Sequence, residues 1–491
     1  MAERGCGSGI WQLPNKLVLE QPNDYLYHLG FSKNDNLQEL FGDTKFVCMG
    51  GSVNRMRAFA ELMQDHLKMD ETLVDLCEER NKDRFCMYKV GPVLSLSHGM
   101  GMGSLSILLH EIVKLLYYAN CMDVVMIRIG SSGGVGVDPG TVVVTEGAFN
   151  EMFKPVYTIL SDKVNVKKTQ KAGDRNRPSH CFQLLRGPCP STFKLERGCG
   201  SAQWQLPNKL VLEQPNDYLY HLGFSKDDNL QELFGDTKFV CMGGSVNRMR
   251  AFAELMQDHL KMDEKLVDLC EERNKDRFCM YKVGPVLSLS HGMGMGSLSI
   301  LLHEIVKLLY YANCMDVVMI RIGSSGGVGV DPGTVVVTEG AFNEMFEPVY
   351  TFAVLGKMVK RNTELSEDLM NALLGCKHES DNFKVVKGNT IGTFGFYECQ
   401  GRLDGAVCEY SEKDKMDYLR RAYKKGVRNF EMEAPCFGAM CKKTGIQANV
   451  VCVTFLDRLK GDQVTATNLK EMETYPQKIV ARYIMKQINK M

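Results

Sequence analysis

The run Lys-Phe-Val-Cys-Met-Gly-Gly-Ser-Val-Asn-Arg at residues 238–248 reads as a strand, a glycine turn and the opening of a helix. Lys238–Met242 is rich in β-branched and aromatic residues, Gly243-Gly244 breaks it, and Asn247–Leu260 continues with helical spacing. The same eleven residues stand at 45–55. Working outward, residues 3–158 recur at 196–351 with a constant offset of 193. Over these 156 positions there are five differences: Gly9/Ala202, Ile10/Gln203, Asn34/Asp227, Thr72/Lys265 and Lys154/Glu347. Solenoid units are short and diverged, so this is a half-domain copied almost verbatim.

The copies part after Thr158. The second runs on through 140 residues of patterned sequence to Met491. The first enters Ile159–Leu195, with eight Lys or Arg against two Asp and with Pro178, Pro188 and Pro190. No apolar period organises that stretch, which predicts a disordered basic linker. The division expected is therefore a truncated half-domain at 1–158, a linker at 159–195 and a complete domain at 196–491.

Within the complete copy, strand-like runs alternate with amphipathic helices. Strands are expected at Lys238–Met242, Phe278–Val283, Val286–Ser290, Val317–Ile322, Thr334–Thr338, near Phe383–Val386, and at Asn449–Phe455. Helices are expected at Asn247–Leu260, Leu298–Cys314, Ser366–Cys376, Glu412–Lys425, Glu433–Lys443 and Pro476–Asn489. The alternation predicts a single α/β domain with a largely parallel or mixed sheet flanked by helices, preceded by a partial copy of the same fold. Ligands of such sheets bind at strand carboxyl ends, where the glycine turns fall.

Composition narrows the function. The 59 basic and 59 acidic residues cancel, so no global field favours nucleic acid or an anionic membrane as partner. The most apolar segments, Ser106–Ile129 and Ser299–Ile322, carry too many charges for a membrane span. The N-terminal residues lack the apolar stretch of a signal peptide. Of eighteen cysteines, ten are five positions counted twice, and no CxxC pair suggests zinc or a redox centre. Buried free thiols in a cytoplasmic protein are the expectation.

Three glycine-bearing turns that follow strands could carry chemistry. Gly243–Arg248 places backbone N–H groups at a helix start with an arginine one turn in, which suits an anion but is also a common tight turn. His291-Gly292-Met293-Gly294-Met295-Gly296-Ser297 lacks the spacing of a dinucleotide loop, because Ser297 stands where the last glycine would fall. Arg321–Gly327 closes an apolar strand. An arginine there needs a buried carboxylate or a bound anion, and Ser324 and Ser325 beside it suit phosphate.

Together, Lys238–Arg248, Lys282–Ser288, Ser290–Gly294, Arg321–Gly327, Gln400–Gly405 and Glu431–Glu433 resemble the animal uridine phosphorylase family, in order and at family-like spacing across essentially all of 205–491. Each motif alone is weak. The resemblance implies a nucleoside phosphorylase-like fold and a homodimer sharing its active site across the interface. It also implies phosphorolysis of uridine, with deoxyuridine as a further candidate substrate, inorganic phosphate as co-substrate and no metal or organic cofactor. It places phosphate at Gly244, Arg248, Arg321 and Ser324, with Arg277 supplied by the neighbouring subunit. It assigns ribose to Glu433 and Met432, with His221 reaching the 5′ end across the interface. It assigns the base to Phe396, Gln400 and Arg402, and makes Glu433, Gln400 and Arg402 the catalytic set. Read without the family, His221 is a packed histidine, Glu433 a helix-start carboxylate, and Gln400 with Arg402 surface polarity.

The chain departs from the family pattern at Gly395 (usually Asp), Cys399 (usually Gly), Ala434 (usually Ser) and Asp457 (Asn in uridine-specific members). Asp457 admits a purine-nucleoside reading, and Cys399 and Gly395 a nucleoside-binding protein without turnover. The first copy retains His28 and a phosphate half-site of Gly51, Arg55, Arg84, Arg128 and Ser131, but nothing matching Phe396, Gln400, Arg402 or Glu433. It is open whether it docks as a pseudo-subunit donating His28 and Arg84, competes for the C-terminal half, or reflects a fused gene prediction. The change of character at Ile159 favours the last.

Overall fold

A computed structural model describes residues 13–21, 23–81, 84–155, 204–271, 273 and 278–490. The linker expectation at 159–195 falls outside these residues. In the first copy, β1 (Phe46–Gly50), β2 (Met87–Val90), β3 (Val93–Ser97) and β4 (Val125–Arg128) form a four-stranded sheet in the order β2–β3–β1–β4. Helices α1 (Val53–Leu67) and α2 (Met102–Tyr118) pack on it.

The complete copy repeats this unit with the same register: β5 (Phe239–Gly243), α3 (Val246–Leu260), β6 (Met280–Val283), β7 (Val286–Ser290), α4 (Met295–Tyr311) and β8 (Val318–Gly327). It then adds β9 (Val335–Phe342), the hairpin β10 (Val349–Val354) with β11 (Lys357–Asn362), α5 (Glu367–Leu374) and β12 (Val385–Gly392). The last elements are α6 (Glu412–Lys424), β13 (Val427–Glu431), α7 (Ala434–Thr444), β14 (Gln447–Asp457) and α8 (Leu469–Ile488). The sheet order is β6–β7–β5–β8–β13–β12–β9–β14, and β8 also pairs with β14, so five strands close into a ring. This is the mixed α/β core that the alternation predicts. Three details differ. The run Arg321–Gly327 is not a turn but the second half of β8, held in register by β14. The hairpin β10–β11 and strand β13 are additional. And α8 starts at Leu469, about two turns before Pro476, which lies inside it.

The missing C-terminal half has visible consequences in the first copy. Phe239, Phe252 and Met256 are buried beneath α8 residues such as Ile479, Tyr483 and Ile484. Their counterparts Phe46, Phe59 and Met63 are partly or wholly uncovered, and every residue of β4 is exposed. Past Ile129 the first copy has no further strand among its described residues, although the same residues in the complete copy finish β8 and build β9.

The opposite face of the first copy is well covered, because it docks on the complete copy about a pseudo-two-fold axis. Built Cβ atoms on Gly101 and Gly296 would each lie 3.3 Å from the other's Cα, and those on Gly103 and Gly294 are related in the same way at 3.4 Å. Since Gly294 is the copy of Gly101 and Gly296 of Gly103, the contact is isologous. Tyr397 and Met432 of the complete copy join the first copy's apolar cluster with Leu26, Leu29, Ile107 and Leu108. Buried polar bonds cross the same surface. Lys114 Nζ donates to the Asp404 carbonyl at 2.7 Å, Tyr397 Oη to Glu111 at 3.0 Å, and the Ala406 amide to His110 Nδ1 at 2.9 Å. This contact has the geometry of a docked pseudo-subunit.

The duplication supplies an internal control. The Lys114 side chain is 1% exposed against its partner Asp24, whereas Lys307 is 20% exposed against Asp217. Lys114→Met strands a buried carboxylate and is expected to cost about 3–5 kcal/mol. Lys307→Met is expected to cost about 1 kcal/mol or less. Denaturant melts of the two variants check this, and equal costs would refute the docking.

Candidate active site

A cavity lies at the carboxyl ends of β5, β8 and β13. That is the usual position for a ligand site in such a sheet. The complete copy lines it with Gly244, Arg248, Arg321, Ser324, Phe396, Gln400, Arg402, Met432 and Glu433, and the first copy adds Tyr25, Tyr27, His28, Arg84 and Ile107.

At one end sit two arginines. Ser245 caps α3 by accepting from the Arg248 amide at 3.1 Å, which fixes the first helical turn and hence Arg248. The Arg248 guanidinium donates to Ser324 Oγ at 3.2 Å and to Glu473 at 2.7 Å. Arg321, on β8, pairs with Glu431 at 2.8 Å and also with Glu433. The buried carboxylate bridge that the sequence offers for Arg321 is therefore present, in a residue that also lines the cavity. The Nε atoms of Arg248 and Arg321 are buried with no hydrogen-bond partner among the described residues.

The two glutamates divide the work. Glu431 ends β13 and accepts from the Glu433 and Ala434 amides, so it shapes the turn into α7. Burial pushes its carboxyl up, Arg321 pulls it down, and the net shift is upward. Glu433 accepts from the Gly294 amide at 2.5 Å. Burial acts upward on it too, but the Arg321 guanidinium, with the hydrogen bond from the Gly294 amide, outweighs this and holds it below the usual carboxylate range. His291 is fully buried between these groups, and burial depresses it to about 3, leaving it neutral.

At the other end, the loop after β12 carries the remaining groups. The Arg402 guanidinium lies 4.3 Å from the Phe396 ring centroid and pairs with Asp404 at 3.1 Å. The Gln400 amide donates to Thr393 at 3.1 Å. Behind them, fully buried Arg458 pairs with Asp462 at 2.9 Å and donates to the Gln400 carbonyl at 2.9 Å. Lys415 completes this network at 2.7 Å from Asp462. No motif in the sequence pointed to Glu473, Arg458 or Asp462; a buried charged residue is invisible until its partner is placed.

The residues expected from the repeated half are divided between the two copies. His221 does not line the cavity. Its ring bonds Glu304 at 2.6 Å on an outer surface of the complete copy, because that hairpin points away from its own cavity. The histidine that reaches the cavity is His28, pinned between Tyr25–Leu26 and Phe31–Ser32 by Glu111 at 2.6 Å, with its ring 4.9 Å from Phe396. Arg277 lies outside the described residues, and its copy Arg84 lines the cavity. The half-site grouped around Arg84 is split. Arg55 still donates to Ser131 at 3.2 Å, but Gly51, Arg55, Arg128 and Ser131 lie away from Arg84 and the cavity, and Arg128 is exposed without counterparts of Glu431 and Glu433.

Three of the departures also acquire a place. Asp457 does not line the cavity; it accepts from the Gly329 and Leu459 amides at 2.9 and 3.1 Å. A Cβ on Gly395 would lie 3.2 Å from Cys399 Sγ, so the thiol fills the space that a side chain at 395 would use. The two departures compensate each other. Gly395→Ala is expected to destabilise the loop and Cys399→Ala to relieve it, with a coupling of about 0.5–2 kcal/mol in a double-mutant cycle. Additive effects would show that the positions are independent.

The model of the phosphorylase superfamily matches residues 45–187 and 238–484. Mouse uridine phosphorylase 2 is 50% identical over 278 residues, which is 55% of this chain and 86% of the mouse protein. Mouse uridine phosphorylase 1 is 47% identical over 292 residues, covering 58% and 93%. Among solved structures, uridine phosphorylase from Schistosoma mansoni in complex with thymidine superposes with a TM-score of 0.56 at 38% identity, over 57% of this chain and 98% of that one.

Proposed function

The chain belongs to the phosphorylase superfamily, and from that premise we propose that it carries out the phosphorolysis of uridine to uracil and ribose 1-phosphate. The observation that carries this reading is the single cavity in which Arg248, Arg321 and Ser324 face the same space as Glu433, Gln400 and Arg402. Phosphorolysis needs three things at once: an oxyanion nucleophile, a held ribose and a base that can leave with negative charge.

Phosphate is assigned to the arginine end. The Gly244 amide, the guanidinium groups of Arg248 and Arg321 and the Ser324 hydroxyl are donors suited to its oxygens. Glu473 now engages Arg248 and shares it with an incoming anion. Glu433, held ionised by Arg321, is suited to accept from two vicinal ribose hydroxyls, with Met432 against the sugar face. Fixing sugar and anion in one frame makes the displacement at C1′ effectively unimolecular. Attack from the phosphate side breaks the C1′–N bond, inverts the anomeric carbon and sends the electron pair into the pyrimidine ring.

Phe396 offers the base a stacking face, Gln400 an amide for the imide edge, and Arg402 a cation for the carbonyl that gains charge. Asp404 and the Arg458–Asp462 pair orient these groups, so little reorganisation is needed as charge develops. The buried polar edge would reject cytosine by leaving donors and acceptors unpaired. Asp457 favours no purine reading, since its carboxylate is turned to backbone amides. The S. mansoni relative solved in complex with thymidine supports acceptance of deoxynucleosides as well.

Nucleoside and inorganic phosphate are the ligands of this reading, and the chemistry calls for no metal or organic cofactor. No helix among the described residues is long and apolar enough to cross a membrane. The described cysteines are free thiols, which fits a reducing, cytoplasmic setting. The homodimer that the resemblance implies is not required to complete this cavity, because the first copy already lines it.

Arg402→Lys should lower kcat/KM for uridine by ~10- to 150-fold, the loss of about 1.5–3 kcal/mol expected for one charge-assisted hydrogen bond. Inorganic phosphate should still protect that variant against heat. Unimpaired uracil release would remove Arg402 from the base site. Asp457→Asn keeps its acceptor oxygen and should leave uridine turnover within about 2-fold, with no cleavage of inosine by either form. Inosine cleavage that disappears in the variant would restore the purine reading.

A further inference from the structure

We propose that one chain is a complete catalytic unit with one active site, in which the first copy takes the place of a second subunit and supplies Arg84 and His28 in cis. This rests on the phosphorolysis reading of the cavity.

The symmetry of the contact is the first support. Gly101 against Gly296 and Gly103 against Gly294 are the paired crossings that two identical subunits would make, yet both partners lie in the same polypeptide. The second support is that identical residues have unequal surroundings. His28 and Glu111 have side chains 5% and 0% exposed, whereas His221 and Glu304 stand at 24% and 11%. Glu111 gains a bond from Tyr397 of the complete copy; Glu304 has no such bond among those resolved, since the first copy contains no counterpart of Tyr397.

The asymmetry follows from the truncation. A two-fold operation on the cavity would bring His221 toward the position equivalent to Phe396, Gln400, Arg402 and Glu433, and residues 1–195 contain none of these. The second site is therefore never built, and His221 is left facing an outer surface. Arg84 and His28 thus belong to the working site, while His221 does not. Covalent linkage also makes docking unimolecular, so the assembled site does not weaken on dilution, as a site between separate chains would.

The test uses the full chain. Light scattering coupled to size exclusion, over a 100-fold (~) range of concentration, is expected to find the active particle at the 55.2 kDa of one chain, with constant specific activity. His28→Ala is expected to lower kcat/KM for uridine by about 10-fold or more, chiefly through KM, and His221→Ala to leave it within about 2-fold. Activity confined to a two-chain particle and lost on dilution would overturn the proposal. So would a loss in His221→Ala that His28→Ala does not show. Should the wild-type chain release no uracil from uridine and phosphate, the reading of the cavity fails instead. The stability contrast between Lys114→Met and Lys307→Met needs no turnover and would then decide the docking alone.

Discussion

Backbone meets backbone where the two copies cross, and only glycine permits it. Gly101 and Gly294 sit at φ +89° and +87°, conformations that a side chain resists, and their opposite numbers Gly103 and Gly296 open α2 and α4. In the run His291–Ser297, whose spacing does not suit a dinucleotide loop, Gly294 and Gly296 serve this close approach. Because the helices start so near one another, Met432 can lie against Gly103, and the loop from Phe394 to Ala406 can rest on α2. That loop carries Phe396, Gln400 and Arg402. The first copy thus forms one wall of the cavity and also the support for its base-reading end.

The duplicated sequence separates what local patterning determines from what partners determine. Strands β1–β3 and helices α1 and α2 match β5–β7, α3 and α4 almost residue for residue, since each is built from contacts within the repeated half. Residues 129–155 and 322–348 are also nearly identical, differing only at Lys154/Glu347, yet only the second set forms strands. Val142 and Val144 are 88% and 90% exposed, whereas Val335 and Val337 are fully buried. The difference is the presence of β12 and β14, which pair with β8 and β9 in the complete copy. Strand propensity there is a statement about neighbours. For the same reason the end of β8 passed for a turn: its glycines look like a break until β14 is alongside.

Much of the site was legible where several weak motifs agreed on one chemistry. Arg248, Arg321, Ser324, Gln400, Arg402 and Glu433 come together in one enclosure, although each has a plain structural reading alone. What could not be read was which copy of a duplicated residue lines the cavity. His28 and His221 sit in the same local sequence, so no pattern distinguishes them; only the direction in which a docked half-domain faces does so. The counter-charges were equally hidden. Glu473, Asp404 and Asp462 are far from their arginines or unremarkable in sequence, and become meaningful once burial demands a partner for each guanidinium.

The truncation has two opposite effects on the first copy, and they explain its structure together. Without a C-terminal half it keeps an exposed edge in β4, where Val125, Met126 and Ile127 are 52%, 40% and 44% exposed. An uncovered apolar edge of that kind invites pairing with other chains. On the docked side the same half-domain is buried as thoroughly as a native core, with Leu26, Leu108 and Ile112 inaccessible to solvent. Docking therefore supplies part of what the missing half would have supplied. The dependence runs both ways, because the complete copy has no first-copy wall of its own to turn onto Phe396 and Arg402. Neither piece is a finished object alone. The half-domain lacks a cover for its sheet, the full domain lacks one side of its cavity, and the surface through which each makes good the other's deficit is the one they inherited by being the same sequence.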